Sequence, residues 1–484
     1  MSNGLSKSRI ISHRQCPKRL WLQVNRHDLR DDSATLGVMQ VGNIIGAIAR
    51  QLIPDGQLID VADLRVALRQ TSAALASKRR GVLFEATVQH DGVLVQADVL
   101  SPLQRGWHMI EVKSSSHLKD YHVEDAAIQS WVMRQAGVPL VAESIAVVDT
   151  GFVYPGQGRY AGLLRQEEIT RQVAEQRKAV PGWVAAARKT LAARTEPRIA
   201  PGPQCGDPFP CPFQHHCIPS VQGYPVEILP HGGKLAAELR AEGYADLRKV
   251  PKTRLNKPRH LQIWQACRTG KAVIDPILPQ TLRALPYPRT FMDFESLNPA
   301  VPIWPGTRPF QQIVFQWSCH IQTRDGRVTH REFLADGTQD PRRAFLTTLL
   351  DAVGTQGPVL VWNEGFEKTR LRELAALYPK EARRIDALIA RLVDLLPLFR
   401  QHYYHPAMMG KTSLKDVLPT IAPDLAYDDL EVAKGTQASE EFQRILLQQI
   451  TDDKRESTRQ ALLRYCERDT EALARVVVEF NKQR

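Results

Sequence analysis

The sequence predicts an α/β protein built from more than one domain. Three observations carry that expectation. At 484 residues the chain exceeds what a single core organises. Residues 82–116 alternate apolar and polar with period two, between helical patterns on either side. A second strand-rich pattern begins at residue 289, after a stretch of short helices and turns. The expected division is 1–222, a basic helical connector over 223–288, and 289–484.

The elements follow in order. Residues 1–30 read as helical, and "VGNIIGAIARQLI" and "LRVALRQTSAALAS" as amphipathic helices. "GVLFEATVQHDGVLVQADVLSPLQRGWHMIEVKSS" breaks at "HDG" and "LQRG", giving three consecutive strands. "DYHVEDAAIQSWVMRQAG" is a helix closed by Gly137, followed by a strand near "SIAVVDT". Residues 155–204 read as mostly helical and then proline-rich. From 289 come strands in "TFMDFES", "QIVFQWSCHI" and "VTHREFLA", a helix in "PRRAFLTTLLDAV", a strand in "PVLVWN", and mostly helices to the end.

The formal net charge is +12. Such a balance suits a polyanion partner, most simply nucleic acid, and it suits a solvated basic surface with no partner equally well. Over 226–288 there are 11 Lys and Arg against 5 Asp and Glu, so half of the excess sits in the connector. Lysines and arginines at its turns suit a phosphate-gripping bridge; the alternative is a helical spacer. The first twenty residues carry no apolar secretory core, and no run reaches the length of a membrane span. The expected setting is cytoplasmic, with no membrane partner.

"CGDPFPCPFQHHC" places Cys205, Cys211 and Cys217 in thirteen residues. In a reducing compartment such a group points to metal rather than disulfides. Three thiolates need a fourth ligand, and His215 or His216 would complete a zinc site. Cys267, Cys319 and Cys466 are isolated and read as packing residues.

Two carboxylate groups carry further chemistry. Asp98 lies on one strand, with Glu111 and Lys113 on one face of the next. Two carboxylates suit Mg²⁺, and a lysine beside them can polarise the attacking water. In the second half, "FMDFES" sets Asp293 and Glu295 on one strand face, and "VWNEGFEKTRL" sets Glu367 at a helix start. "RYCERDTEAL" sets Tyr465 and Asp469 one helical turn apart. Four acids from three elements suit two-metal phosphoryl transfer, with Tyr465 positioning the water.

The first group resembles the PD-(D/E)XK nucleases, in particular their RecB-like branch, whose core is a restriction-endonuclease-like helix, three strands and a helix. The resemblance implies Asp98 and Glu111 as metal ligands, Lys113 as the catalytic lysine, and Gln129 in "AAIQSWVM" as a supporting residue. The chain has Gly46 where that branch often carries histidine, and Met133 where it often carries an aromatic. Glu85 could supply the missing ligand; the alternative is a solvent-facing strand glutamate. "SKSRIISHRQCPKRLWL" resembles the opening of this branch's iron–sulfur nucleases. That implies a [4Fe–4S] cluster on Cys16, Cys205, Cys211 and Cys217, stapling the first helix to the segment after the core. Five residues separate the second and third cysteines, where the family usually has two.

The second group resembles the DnaQ-like 3′→5′ exonucleases of the RNase H-like fold, in the variant with tyrosine in the last motif. It implies Asp293, Glu295, Glu367, Tyr465 and Asp469 as the site, with Glu367 where most relatives carry aspartate. Asp394 and "SLKDVLP" resemble connecting segments of that group. Together the two resemble a bacterial family of fused nucleases. They imply a Mg²⁺- or Mn²⁺-dependent DNA nuclease with two sites, in repair or defence. The alternative is a DNA-binding iron–sulfur platform with one C-terminal exonuclease site acting on DNA or RNA.

Overall fold

The computed structural model describes residues 4–31, 36–59, 62–218, 222–425, 427–447 and 450–482, with the side chains of 36–40 set aside. Residues 1–3 of the expected N-terminal helical stretch and 483–484 of the last helix lie outside them. The chain is an α/β protein with mixed sheets in two compact units. The first is Met1–Ser220 with Pro299–Gln311, and the second is Val221–Asn298 with Gln312–Arg484.

This departs from the three-part division in two places. The basic connector is not a separate piece. Its apolar residues, Leu278 and Leu282 among them, are buried within the second unit. The segment 299–311, expected in the last domain, belongs to the first unit. Tyr154 N–H donates to Thr307 O at 2.9 Å, and Ala300 joins Ile45, Val148 and Leu163 in one apolar cluster.

The first unit runs β1 (Leu5–Ser6), α1 (Lys7–Gln15), α2 (Pro17–Asn25), α3 (Leu36–Leu52), β2 (Gln57–Leu58) and α4 (Leu64–Ala76). The sheet core follows as β3 (Leu83–His90), β4 (Val93–Leu103), β5 (Gly106–Val112), α5 (Asp120–Gln135), β6 (Leu140–Val148) and β7 (Leu164–Glu168). Then come α6 (Thr170–Gln176), α7 (Val180–Ala192) and α8 (Gln214–Cys217). The sheet order is β2-β3-β4-β5-β6-β7, with β1 added beside β4. β3, β4 and β5 form an antiparallel meander, and β6 returns parallel to β5 through α5. β7 was not expected: "LRQEE" is a charged edge strand without apolar alternation. The face of α5 carrying Ala126, Ile128, Val132 and Met133 is buried against the sheet. At about 25 cal/mol per Å² such burial holds α5 in place, and both ends are capped: Lys119 N–H donates to His122 Nδ1 at 3.2 Å, and Val138 N–H donates to Met133 O at 2.9 Å.

The second unit contains α9 (Gly233–Ala241), α10 (Pro258–Thr269), β8 (Val273–Ile274), α11 (Ile277–Ala284), β9 (Arg289–Leu297), β10 (Ile313–Gln322) and β11 (Val328–Leu334). It continues with α12 (Arg342–Ala352), β12 (Val359–Val361), α13 (Gly365–Leu377), α14 (Ala382–Ile389), β13 (Leu392–Asp394), α15 (Leu395–His402) and β14 (Tyr403–Tyr404). Last come α16 (Leu414–Val417), α17 (Gly435–Leu446) and α18 (Asp452–Lys482). Its main sheet has the order β11-β10-β9-β12-β13, antiparallel in the first three strands and parallel in the rest. β9 alternates cleanly: Met292 and Phe294 enter one core with α12 and α13, while Asp293 and Glu295 face the other way. α18 packs against β9 and β10. Among the described residues, no helix is long and apolar enough to cross a membrane.

Candidate functional site

In the second unit, β9 and α18 bring three of the expected acids together. A carboxylate oxygen from each of Asp293, Glu295 and Asp469 lies within 4.8 Å of the other two. The strand supplies two of them from one face, and α18 supplies the third. No Lys or Arg closes an ion pair on any of the three among the described residues. Carboxylates this close and this dry repel one another, so they hold protons unless a cation arrives. Burial, Asp469, Glu295 and Glu367 push Asp293 well above the ordinary carboxylate range. Burial and Asp469 bring Glu295 to about 8. Asp469 is raised by burial, against the pull of Lys415.

Glu367 stands in the first turn of α13 and does not join that close trio. It is buried, its Oε2 has no hydrogen-bond partner, and burial raises it to about 8. Tyr465 lies beside the acids, one turn before Asp469 on α18. Lys415 Nζ donates to its hydroxyl at 2.7 Å and to Ala433 O at 2.7 Å. Burial and Asp469 raise the Tyr465 phenol far above its ordinary value, so it keeps its proton. Tyr427 donates to Asp469 Oδ1 at 2.6 Å. Lys415 sits over both tyrosine rings, 4.9 Å from Tyr427 and 4.4 Å from Tyr465. The start of α17 closes the same place: a side chain at Gly435 would meet Glu295 Oε2 at 3.5 Å. Asp394 has a structural task, accepting from Asn363 N–H and Leu396 N–H at 2.9 Å each.

In the first unit, the β4–β5 ladder ends at the pair Val99↔Ile110. The next residues on each strand are Asp98 and Glu111. Asp98 Oδ2 takes the Val112 N–H at 2.6 Å, replacing a ladder bond. Lys113 Nζ lies 2.7 Å from Glu111 Oε1 and 2.6 Å from Asp125 Oδ2. Lys7 Nζ makes the same two contacts at 2.7 and 3.1 Å. Gln129 Nε2 donates to Glu111 Oε2 at 2.6 Å. The four residues expected here, Asp98, Glu111, Lys113 and Gln129, therefore do converge. Sequence reasoning missed Lys7 and Asp125. Asp125 was findable, since it precedes Gln129 by one helical turn.

The electrostatics of the two clusters are opposite. Burial works to raise Glu111, but Lys113 and Lys7 override it and hold the carboxylate ionised. Asp98, buried beside Glu111, is pushed up to about 7. Both oxygens of Glu111 are engaged, so a metal ion at this position requires Lys7 to move. The acid trio of the second unit, with no such ion-paired lysine among the described residues, fits a divalent cation as it stands. Glu85 adopts a left-handed backbone at φ 57° and pairs with Arg50 at 3.3 Å, a structural partner rather than an open ligand.

Cys16 occupies the break between α1 and α2, while Cys205, Cys211 and Cys217 lie around α8. All four line one small cavity with Lys18, Arg19 and Gln204. Gln15 ties the two segments by donating to Gln204 O and Phe209 O at 2.7 Å each. The thiols are free, and they do not reach the 4.8 Å mutual approach of the acid trio. Burial raises the Cys211 and Cys217 thiols, and Arg19 and Lys18 pull in the opposite direction. His216 is held by Glu196 at 3.1 Å. Cys267, Cys319 and Cys466 are buried in the second unit.

The second unit also carries a groove of about 1390 Å³ between α10, α15 and the end of β12. Lys257, Arg259, Arg400 and His231 line it, with Trp362 and Asn363.

Residues 290–413 match the family model described as "Domain of unknown function (DUF2779)". The matched span contains Asp293, Glu295 and Glu367, and stops before Lys415 and α18. The "Uncharacterized protein MG366 homolog" of Mycoplasma pneumoniae is 27% identical over 205 residues, covering 38% of this chain and 31% of the relative. "Uncharacterized protein UU173" of Ureaplasma parvum is 27% identical over 215 residues, covering 40% and 31%. The chain thus spans about a third of the length of the curated relatives it matches.

Proposed function

We propose that the protein is a metal-dependent nuclease and that the acid cluster of the second unit is its hydrolytic centre. The observation that carries this reading is the convergence of buried Glu295 and Asp469 with half-buried Asp293, without an ion-paired Lys or Arg among the described residues. Mg²⁺ or Mn²⁺ would be held by these three acids, with Glu367 behind them. Such an ion lowers the pKa of a bound water and neutralises charge growing on a phosphate. The chain's own groups do the positioning. Tyr465 keeps its hydroxyl proton and can donate it to an attacking water. Lys415 orients Tyr465 and adds a positive charge beside the acids. Tyr427 fixes Asp469 through one carboxylate oxygen.

A DnaQ-like reading of the second unit is supported by its strand order and by acids drawn from β9, α13 and α18. A RecB-like PD-(D/E)XK reading of the first is supported by the α5 crossover between β5 and β6. Four cysteines on one cavity support a [4Fe–4S] staple. The substrate we favour is a DNA strand with a free end, met in the cytoplasm. The basic groove supports it, since Lys257 and Arg400 suit phosphates and Trp362 suits a base.

Asp293→Ala should abolish end-directed digestion of labelled DNA in Mg²⁺ or Mn²⁺, with the protein still folded. Undiminished digestion by that variant would sink the assignment. Digestion of matched RNA but not DNA would keep the site and change the substrate. A second reading adds hydrolysis in the first unit, favoured by the convergence of Asp98, Glu111, Lys113 and Gln129. In that case Glu111→Ala removes a product pattern that Asp293→Ala leaves intact. If Glu111→Ala changes nothing, the first unit is a binding platform.

A further inference from the structure

The antiparallel register of β10 and β11 sets His320 directly opposite His330. Their rings stack with centroids 4.6 Å apart. α18 packs on both strands and brings Glu467 to this pair, with Oε1 at 3.5 Å from His330 Nδ1. One ligand atom from each of His320, His330 and Glu467 lies within 4.8 Å of the other two. The group shares no residue with the acid trio.

The hydroxyls around the rings decide which nitrogens carry protons. A carbonyl oxygen can only accept, so Thr470 Oγ1 donates to Glu467 O at 3.0 Å. Thr470 Oγ1 then has only lone pairs left. It accepts from Ser318 Oγ at 2.8 Å and from His320 Nδ1 at 2.8 Å. Ser318 Oγ, its hydrogen committed, accepts from His330 Nε2 at 2.9 Å. The free lone pairs fall on His320 Nε2 and His330 Nδ1, and the latter faces the Glu467 carboxylate. Two acceptors facing each other repel unless a cation or a proton lies between them. Each imidazole is anchored through its far N–H, as metal-bound histidines are. Burial keeps the His320 ring neutral by pulling its pKa down to about 4. Glu332, opposite Ser318 on β11, adds negative charge near His330 and Glu467.

We propose that His320, His330 and Glu467 bind one first-row transition ion of the Zn²⁺ type. Two imidazoles and a carboxylate suit Zn²⁺ or Co²⁺, with water completing the shell. Mg²⁺ prefers oxygen ligands throughout, so the acid trio and this site select different ions. The ion would clamp the edge strand β11 to α18, the helix that carries Tyr465 and Asp469. The inference does not depend on the nuclease reading.

The test is equilibrium dialysis of the full-length, chelator-stripped protein against Co²⁺ in excess Mg²⁺, with visible spectra. Wild type should bind one more equivalent of Co²⁺ than His330→Ala, with d–d bands free of thiolate charge transfer. Asp293→Asn should retain that equivalent. His330 is half-buried on an edge strand; should its replacement fail to fold, Glu467→Gln serves instead and should weaken Co²⁺ roughly tenfold or more. Equal stoichiometry and spectra in wild type and both variants would overturn the site. So would a wild type that takes up no such Co²⁺.

Discussion

At the residue scale, the informative side chain is Lys415. Its ammonium group touches no acid of the trio, yet it lowers the proton affinity of Asp293, Glu295 and Asp469 and hydrogen-bonds Tyr465. "SLKDVLP" was visible in the sequence as a connecting phrase, but nothing in it ranked Lys415 above Asp416. Tyr427 carried no signal at all, because its partner Asp469 lies 42 residues away and meets it only in the fold. Lys415→Met should lower metal-dependent digestion about 10- to 100-fold. It should also move the acidic limb of the pH–rate profile upward, since the acids lose the charge that helps them ionise. A drop in rate with an unmoved limb would reduce Lys415 to a packing role.

At the element scale, legibility followed exposure and length. β4 read clearly because its burial alternates with period two, and β3, β5, β9 and β10 because apolar, β-branched and aromatic residues run between turn signals. β7 and the two-residue strands did not, because a charged edge or a short pairing leaves no period to detect. The sharing of the acids among elements was legible for β9 and α18, where spacing alone fixes the face. It was less so for α13, where a helix start says nothing of distance to the sheet. α5 shows the same limit: its buried side holds Asp125 and Gln129 one turn apart, yet the partner Lys7 comes from α1. Removing Asp125 leaves Lys7 and Lys113 facing each other with one carboxylate between them. Asp125→Ala should therefore destabilise the first unit by about 3 kcal/mol. That is the low end for a broken buried pair, because each lysine side chain keeps 21% of its surface in water. Denaturant unfolding followed by a probe in the first unit would read it, and an unchanged midpoint would show the network to be a surface contact.

At the scale of the whole molecule, the two units handle buried acid in different ways, and this sets how the protein responds to pH and metal. In the first unit Lys7 and Lys113 hold Glu111 ionised, so its stabilisation needs no added ion. In the second, Glu295 and Glu367 sit near 8, well above their unfolded value of 4.5. The native state therefore binds more protons than the unfolded chain between those two values. Stability from these groups is complete below about pH 4.5 and is lost as pH rises through about 8. A bound divalent cation replaces the protons and removes that loss. The thermal transition of the second unit should thus fall from pH 6 to pH 9 in chelator, and fall much less in Mg²⁺ or Mn²⁺. The metal-induced rise in Tm should be larger at pH 9 than at pH 6, and Asp293→Asn with Asp469→Asn should flatten the difference. Glu367→Gln separates charge from shape: in chelator it should match wild type only below about pH 4.5, melt higher than wild type at pH 6 and by more at pH 9, and digest DNA poorly throughout. Equal metal-induced shifts at the two pH values would mean that the acids are already ionised without metal. The trio would then bind its cation without displacing protons, and the raised proton affinity argued for Asp293, Glu295 and Asp469 would fall.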